Sequence, residues 1–171
     1  GLRSVRLPPA GAPRRIEEVP AGLALSPDDA TLYVAGNLSN RLIEIDVATD
    51  AVRRTFDVGV APFHVVLAGA KAYVSNWGGR RPEPGDVVGP AGQGTTVRVD
   101  PARFIASEGS VTVIDLAAGK AVKEIVLGRH ASAMALAPSG RHLVVANAAD
   151  DTLSVIDTAS DLVVETISVA W

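Results

Sequence analysis

Three kinds of side chain in this sequence could do chemistry, and most of them fall between residues 63 and 130. The first is histidine, at His64, His130 and His142. Imidazole binds metals and anions and exchanges protons near neutral pH. The second is a paired arginine, Arg80-Arg81, just after Trp77-Gly78-Gly79. Two guanidinium groups beside an aromatic ring suit a phosphate or carboxylate, which they grip through forked hydrogen bonds. A salt-bridged loop using Glu83 or Asp86 is the plainer alternative. The third kind is acidic: Asp86, Asp100 and Glu108 share that stretch, but without the dense Asp-x-Asp spacing of a calcium loop.

Other chemistries are poorly provided for. With no cysteine there is no thiolate nucleophile, disulfide or thiolate metal site. The glycine-rich string Gly89–Thr95 lacks the Lys-Ser/Thr ending of a phosphate loop. No Ser-His-Asp arrangement is legible. A net charge of −3 and 4% aromatic residues disfavour nucleic acid as a partner. No apolar run approaches the ~20 residues that span a bilayer, so no membrane span is expected. We therefore expect no enzymatic activity, no metal and no cofactor. The residues expected to contact a ligand or partner are Phe63, His64, Trp77, Arg80, Arg81, Asp86, Arg98 and His130, and an anionic small molecule fits them.

The elements that position these residues come from a repeated pattern. TLYVAGNLSNRLIEIDVATDAVRRTFDVG at 31–59 recurs as HLVVANAADDTLSVIDTASDLVVETISV at 142–169. Between them KAYVSNW (71–77) and SVTVIDLAAGKAVKEIVLG (110–128) are one further copy, split in two. The Ile-Asp pairs end at Asp46, Asp115 and Asp157, 69 and then 42 residues apart, because about 27 residues are added to the second copy.

Each copy reads as four short strands. The first is small and apolar (Gly22–Leu25, Val65–Leu67, Met134–Leu136), as suits a strand near a crowded axis. The second is rich in strand formers, as in Leu32-Tyr33-Val34-Ala35. The third ends in Ile-Asp, and four residues on stand Asp50, Gly119 and Asp161. That spacing predicts a turn closed by a left-handed residue, where Gly and Asp are tolerated, with the first Asp accepting backbone N–H groups. The fourth strand alternates polar residues such as Arg54, Lys123 and Glu165 with apolar ones, as an outer strand does. Four antiparallel strands per ~40–50 residues make a β-propeller blade. The fold expected is all-β, with blades at 20–58, 62–127 and 131–169 and an outer strand of a preceding blade at 1–7.

The phrases LALSPDDATLYVAG, YVSN, VVAN and SVIDTASDLVVETISV resemble the YVTN-type β-propeller repeats of bacterial and archaeal extracytoplasmic proteins. The resemblance covers roughly residues 20–171 apart from the insertion, and it implies a periplasmic or secreted bacterial protein, which the missing cysteines fit. It also implies a seven-bladed ring, which at this period needs roughly 300 residues. Three blades and one strand do not close a ring, so the expected partners are further blades of the same protein, or a second copy if the chain is complete.

The segment NWGGRRPEPGD, with VRVDPARFIASEGSVTVIDL, resembles bacterial proteins in which such a propeller precedes an alkaline-phosphatase-like phosphoesterase domain. It implies that domain as a partner, lying beyond Trp171, or alternatively a cell-envelope partner. The job expected of this chain is a non-catalytic binding module. The alternatives are a propeller oxidoreductase holding a cofactor or metal, and a nucleic-acid-binding relative.

The insertion, residues 78–109, enters between the second and third strands of the middle blade. Long loops on a rigid scaffold often carry function. Pro82, Pro84 and six glycines from Gly78 to Gly94 predict irregular surface backbone, and Thr95–Val99 a short extra strand. Blade geometry puts the insertion beside Ala61–His64 and Arg129-His130. His64 and His130 hold different repeat positions, His130 aligning with Ala61, so they are not a repeated ligand set.

Overall fold

Small, β-branched and aromatic residues alternating with polar ones fold here into three four-stranded antiparallel sheets. The computed structural model describes residues 3–92 and 95–169. The first sheet holds β1 (Pro20–Leu25), β2 (Thr31–Gly36), β3 (Arg41–Asp46) and β4 (Val52–Asp57), in chain order. The second holds β5 (Pro62–Ala68), β6 (Lys71–Asn76), β9 (Gly109–Asp115) and β10 (Lys120–Leu127). The third holds β11 (Ala131–Leu136), β12 (His142–Asn147), β13 (Thr152–Asp157) and β14 (Leu162–Ser168). The insertion supplies a separate hairpin, β7 (Val88–Ala91) with β8 (Thr95–Arg98). No helix of the described residues is long and apolar enough to cross a membrane.

Register repeats from sheet to sheet: Leu32 faces Ile45, Ala72 faces Ile114 and Leu143 faces Ile156. The hairpins after the Ile-Asp pairs share one geometry. Asp50, Gly119 and Asp161 have φ of 59°, 69° and 54°, and each donates its N–H to the carbonyl of Asp46, Asp115 or Asp157. The carboxylates of those aspartates accept N–H bonds from Thr49, Ala118 and Ala159, each at 2.8 Å. The repeated aspartates are thus consumed in building turns.

The sheets are blades, packed face to face. Tyr33, Leu42, Phe56 and Val58 of the first meet Val65, Val74 and Ile114 of the second. On its other face the second offers Tyr73, Val111, Val113 and Ile125 to Met134, Leu143, Val145 and Ile156 of the third. The inner strands run close together: a Cβ on Gly22 would lie 2.5 Å from the His64 Cα. That crowding explains the small residues of the first strands, which begin earlier than their sequences suggest, across irregularities before Leu23, His64 and Met134.

The N-terminal expectation needs correction. Of residues 1–7, expected as an outer strand, Gly1 and Leu2 lie outside the described residues, and Arg3–Leu7 form no strand. Leu7 packs instead on the apolar cluster Val34, Ile43 and Ile45 of the first blade. The outward face of the third blade is open by contrast, with Leu162, Val164 and Val169 about half exposed.

A polar clasp crosses the second interface. The Tyr73 hydroxyl donates to Asp161 at 2.6 Å, and Lys71 Nζ pairs with the same carboxylate at 2.7 Å. Burial, then the neighbouring carboxylate, pushes the Tyr73 hydroxyl well above its ordinary pKa, so it remains a donor. Tyr73→Phe should cost about 1.5–3 kcal/mol in urea unfolding, the worth of a hydrogen bond to a charged group. A variant as stable as the parent would show that the clasp does not join these blades.

Candidate functional site

The insertion leaves the second blade at Trp77, where the other blades turn directly into their third strands. Its root is fixed by backbone bonds: Trp77 N–H to Ala61 O at 3.1 Å, Gly78 N–H to Val60 O at 2.9 Å and Val60 N–H to Gly79 O at 2.8 Å. The hairpin then folds back, burying Val97 and Val99 against Val60. Thr95–Arg98 is the expected extra strand. Its partner, Val88–Ala91, was not expected, because Gly89 and Pro90 argue against a strand. Pro90 is tolerated in this isolated two-stranded ladder, which leaves edges free on both sides.

Beneath the hairpin lie three stacked rings. Trp77 stacks on Phe63 (centroids 4.9 Å apart, planes at 11°) and on His130 (5.6 Å, 20°). Phe63 opens the inner part of the second blade and His130 precedes the third, so the stack spans two blades. Between these rings and the hairpin is a cavity of about 550 Å³. Trp77, His130, Ala91, Val97, Val99 and Phe104 line it, with Asn37 also on its wall. Asn37 is held by donating its Nδ2–H to Pro62 O at 3.0 Å. Among the described lining residues none carries a fixed charge.

The arginines are engaged elsewhere. Arg80 makes a two-point contact with Asp86 at 2.9 and 3.1 Å. Arg98 bridges Asp86 at 3.0 Å and Glu108 at 2.6 Å. Two cations thus meet two carboxylates, the salt-bridged alternative for this loop. Arg81 donates to Val58 O and Asn40 O, and to Asp57 at 3.1 Å. Bonds from the Glu83 N–H and Arg80 hold the Asp86 carboxyl at about 2.

His64 stands apart from the cavity. Its Nδ1 accepts the Met134 N–H at 3.0 Å, tying the inner strands of two blades. Burial pushes this imidazole below its ordinary pKa, favouring the neutral ring that the bond requires. Of the eight residues expected to bind, the structure therefore brings Phe63, Trp77 and His130 together. It places Arg80, Asp86 and Arg98 in one ion-pair network, and Arg81 and His64 in separate architectural bonds.

Sequence reasoning missed Phe104, the only aromatic residue of the inserted segment 78–109 and 71% exposed. It also missed a second, polar depression of about 400 Å³ reached by Arg80, Arg81, Lys123 and Glu124. Glu124 accepts bonds from Ser110, Thr112 and Asn76 there, yet burial still pushes its carboxyl above the ordinary range. Polar residues scattered over three strands give no linear signal. Among the described residues, no group of three or more His, Asp or Glu side chains is placed to hold a metal ion.

No protein-family model matches the chain, and no curated protein matches it. Among solved structures, it is similar to Kuenenia stuttgartiensis hydrazine synthase, with a TM-score of 0.66 and 22% identity over 97% of this chain. The chain spans 38% of the length of that one. This likeness establishes the fold, an all-β assembly of four-stranded propeller blades. It also corrects the expectation that the chain is not an enzyme: such blades occur within an enzyme, so the fold gives no ground for excluding catalysis.

The ion-pair network sets a pH dependence for the hairpin. The folded pKa of Asp86 lies below the ordinary value of about 3.9, so its contribution is complete above that value and is lost as pH falls through about 2. Hydrogen-exchange protection of Val97 and Val99 should persist at pH 4 and collapse near pH 2, while Asp86→Asn should lose it at neutral pH. Full protection in Asp86→Asn would mean that apolar contacts alone hold the hairpin.

Proposed function

We propose that this chain is the propeller part of a YVTN-type extracytoplasmic protein, and that it binds a ligand on its insertion-bearing face, in the cavity under the β7–β8 hairpin. The observation that carries the reading is the cavity itself. It is concave, apolar and of ligand-binding size, with a few polar groups at its wall. The frame around it is rigid, since one wall spans two packed blades and the roof is pinned by ion pairs.

The wider context rests on sequence resemblance. The phrases around Asn76–Asp86 favour a phosphoesterase-like domain in the same protein, with a periplasmic or secreted location. The partner favoured for the third blade is another blade. Val144, Ala146, Leu153, Val155 and Ile167 hold the positions that Tyr73, Ser75, Val111, Val113 and Ile125 hold on the covered face of the second blade.

N-phenyl-1-naphthylamine, an uncharged fluorescent aromatic, is a suitable probe. The sequence has two tryptophans, so Trp171→Phe leaves Trp77 as the sole donor. Titration should then quench Trp77 emission with one saturable site, and Trp77→Ala should abolish most of the dye's gain in emission. A dye that binds without touching Trp77 emission would remove the cavity as the site.

A further inference from the structure

Eight non-glycine residues among those described have positive φ, between 51° and 59°. Five are Asp or Asn (Asp29, Asn40, Asp50, Asp151 and Asp161), types that tolerate this conformation. The other three, Ala61, Phe104 and His130, all line the cavity. Ala61 and His130 hold equivalent places in the links between blades, so there the conformation belongs to the repeat. Phe104 has no such excuse.

Its turn follows the same plan as the blade hairpins. The Asp100 carbonyl accepts the Phe104 N–H at 2.8 Å, and the Asp100 carboxylate accepts those of Ala102 and Arg103. In the three blade hairpins the fifth residue is Asp50, Gly119 or Asp161. Here it is a bulky aromatic, an outlier for its type at φ 54°. The residue is 71% exposed, so packing in the core does not offset the strain. Strain of this kind persists only where the surrounding structure imposes it, and it clusters at ligand and active sites.

We propose that Phe104 is held in this backbone to contact the ligand, and that the cavity takes an uncharged planar aromatic molecule. The proposal rests on the cavity reading above and deepens it. Phe63 and His130 both stack on Trp77, which is still 40% exposed, so a ligand meets the part of the indole they leave open. The rings left to pack on it are His130 and Phe104, in the offset or edge-to-face arrangements that aromatic groups prefer. Val97, Val99 and Ala91 complete an aliphatic wall. An anion in this space would lose its hydration without meeting a guanidinium or ammonium group among the described lining residues, since Arg80 and Arg98 are matched by Asp86 and Glu108 outside the lining. The Asn37 amide, fixed through its Nδ2–H, leaves its carbonyl oxygen to accept an N–H or O–H of the ligand.

Two dyes with one aromatic skeleton test the inference on the full chain: N-phenyl-1-naphthylamine and its sulfonate, 8-anilinonaphthalene-1-sulfonate. The neutral dye should bind at least about tenfold more tightly, and Phe104→Asn should weaken it roughly tenfold. The same substitution should raise Tm by about 2–4 °C, because Asn tolerates the left-handed backbone. Phe104→Leu keeps the strain and apolar bulk without the ring, and should lose affinity with no gain in Tm. Equal binding of the two dyes, or undiminished binding in either variant, overturns the inference while the cavity reading stands. Failure of both dyes to bind, or binding indifferent to Trp77→Ala, overturns the cavity reading as well.

Discussion

The packing of the second blade between its two neighbours is the interaction on which the rest of the molecule depends. A four-stranded sheet of six- to eight-residue strands has two faces and cannot bury either alone. Here the middle blade spends one face on Phe56, Leu42 and Tyr33 and the other on Met134, Leu143 and Ile156. The positions of Phe63, Trp77 and His130 follow from that. Phe63 and Trp77 sit on one blade and His130 on the approach to the next, so their stack exists only while the interface does.

The same constraint divides the polar residues into two classes. Repeated aspartates close turns, and His64 joins inner strands across an interface. Neither group is free for chemistry without cost to the frame. Arg80, Asp86, Arg98 and Glu108 belong instead to the insertion, which has no counterpart in the other blades and so no architectural duty fixed by the repeat. There the charged side chains neutralise one another and lock the hairpin, and the apolar ones bound a space. That division turns a segment rich in Arg, Asp and Glu into the support of a cavity with no fixed charge among its described lining residues.

Blade order, the Asp-closed hairpins and the extra strand at Thr95–Arg98 were legible because each depends on residues close in sequence. The location of the insertion beside Ala61 and His130 was legible because strand order alone places it. Other features depend on distance. Nothing local pairs Arg98 with Glu108 rather than with a ligand, or stacks both Phe63 and His130 on Trp77. Phe104 was missed because its significance lies in a dihedral angle, visible only once Asp100–Phe104 is seen to repeat the blade hairpin. The absence of enzymatic function was inferred from missing motifs, and such an inference fails when the same fold is found within an enzyme.

The central claim is that the ligand site lies between the hairpin and the ring stack. A ¹H–¹⁵N correlation titration with N-phenyl-1-naphthylamine tests it most directly, because it locates binding residue by residue. The account predicts shifts confined to Trp77, including its indole N–H, and to Val97, Val99, Phe104 and His130. Shifts centred on Leu162–Ser168, the open outer strand of the third blade, or none at all, would contradict it.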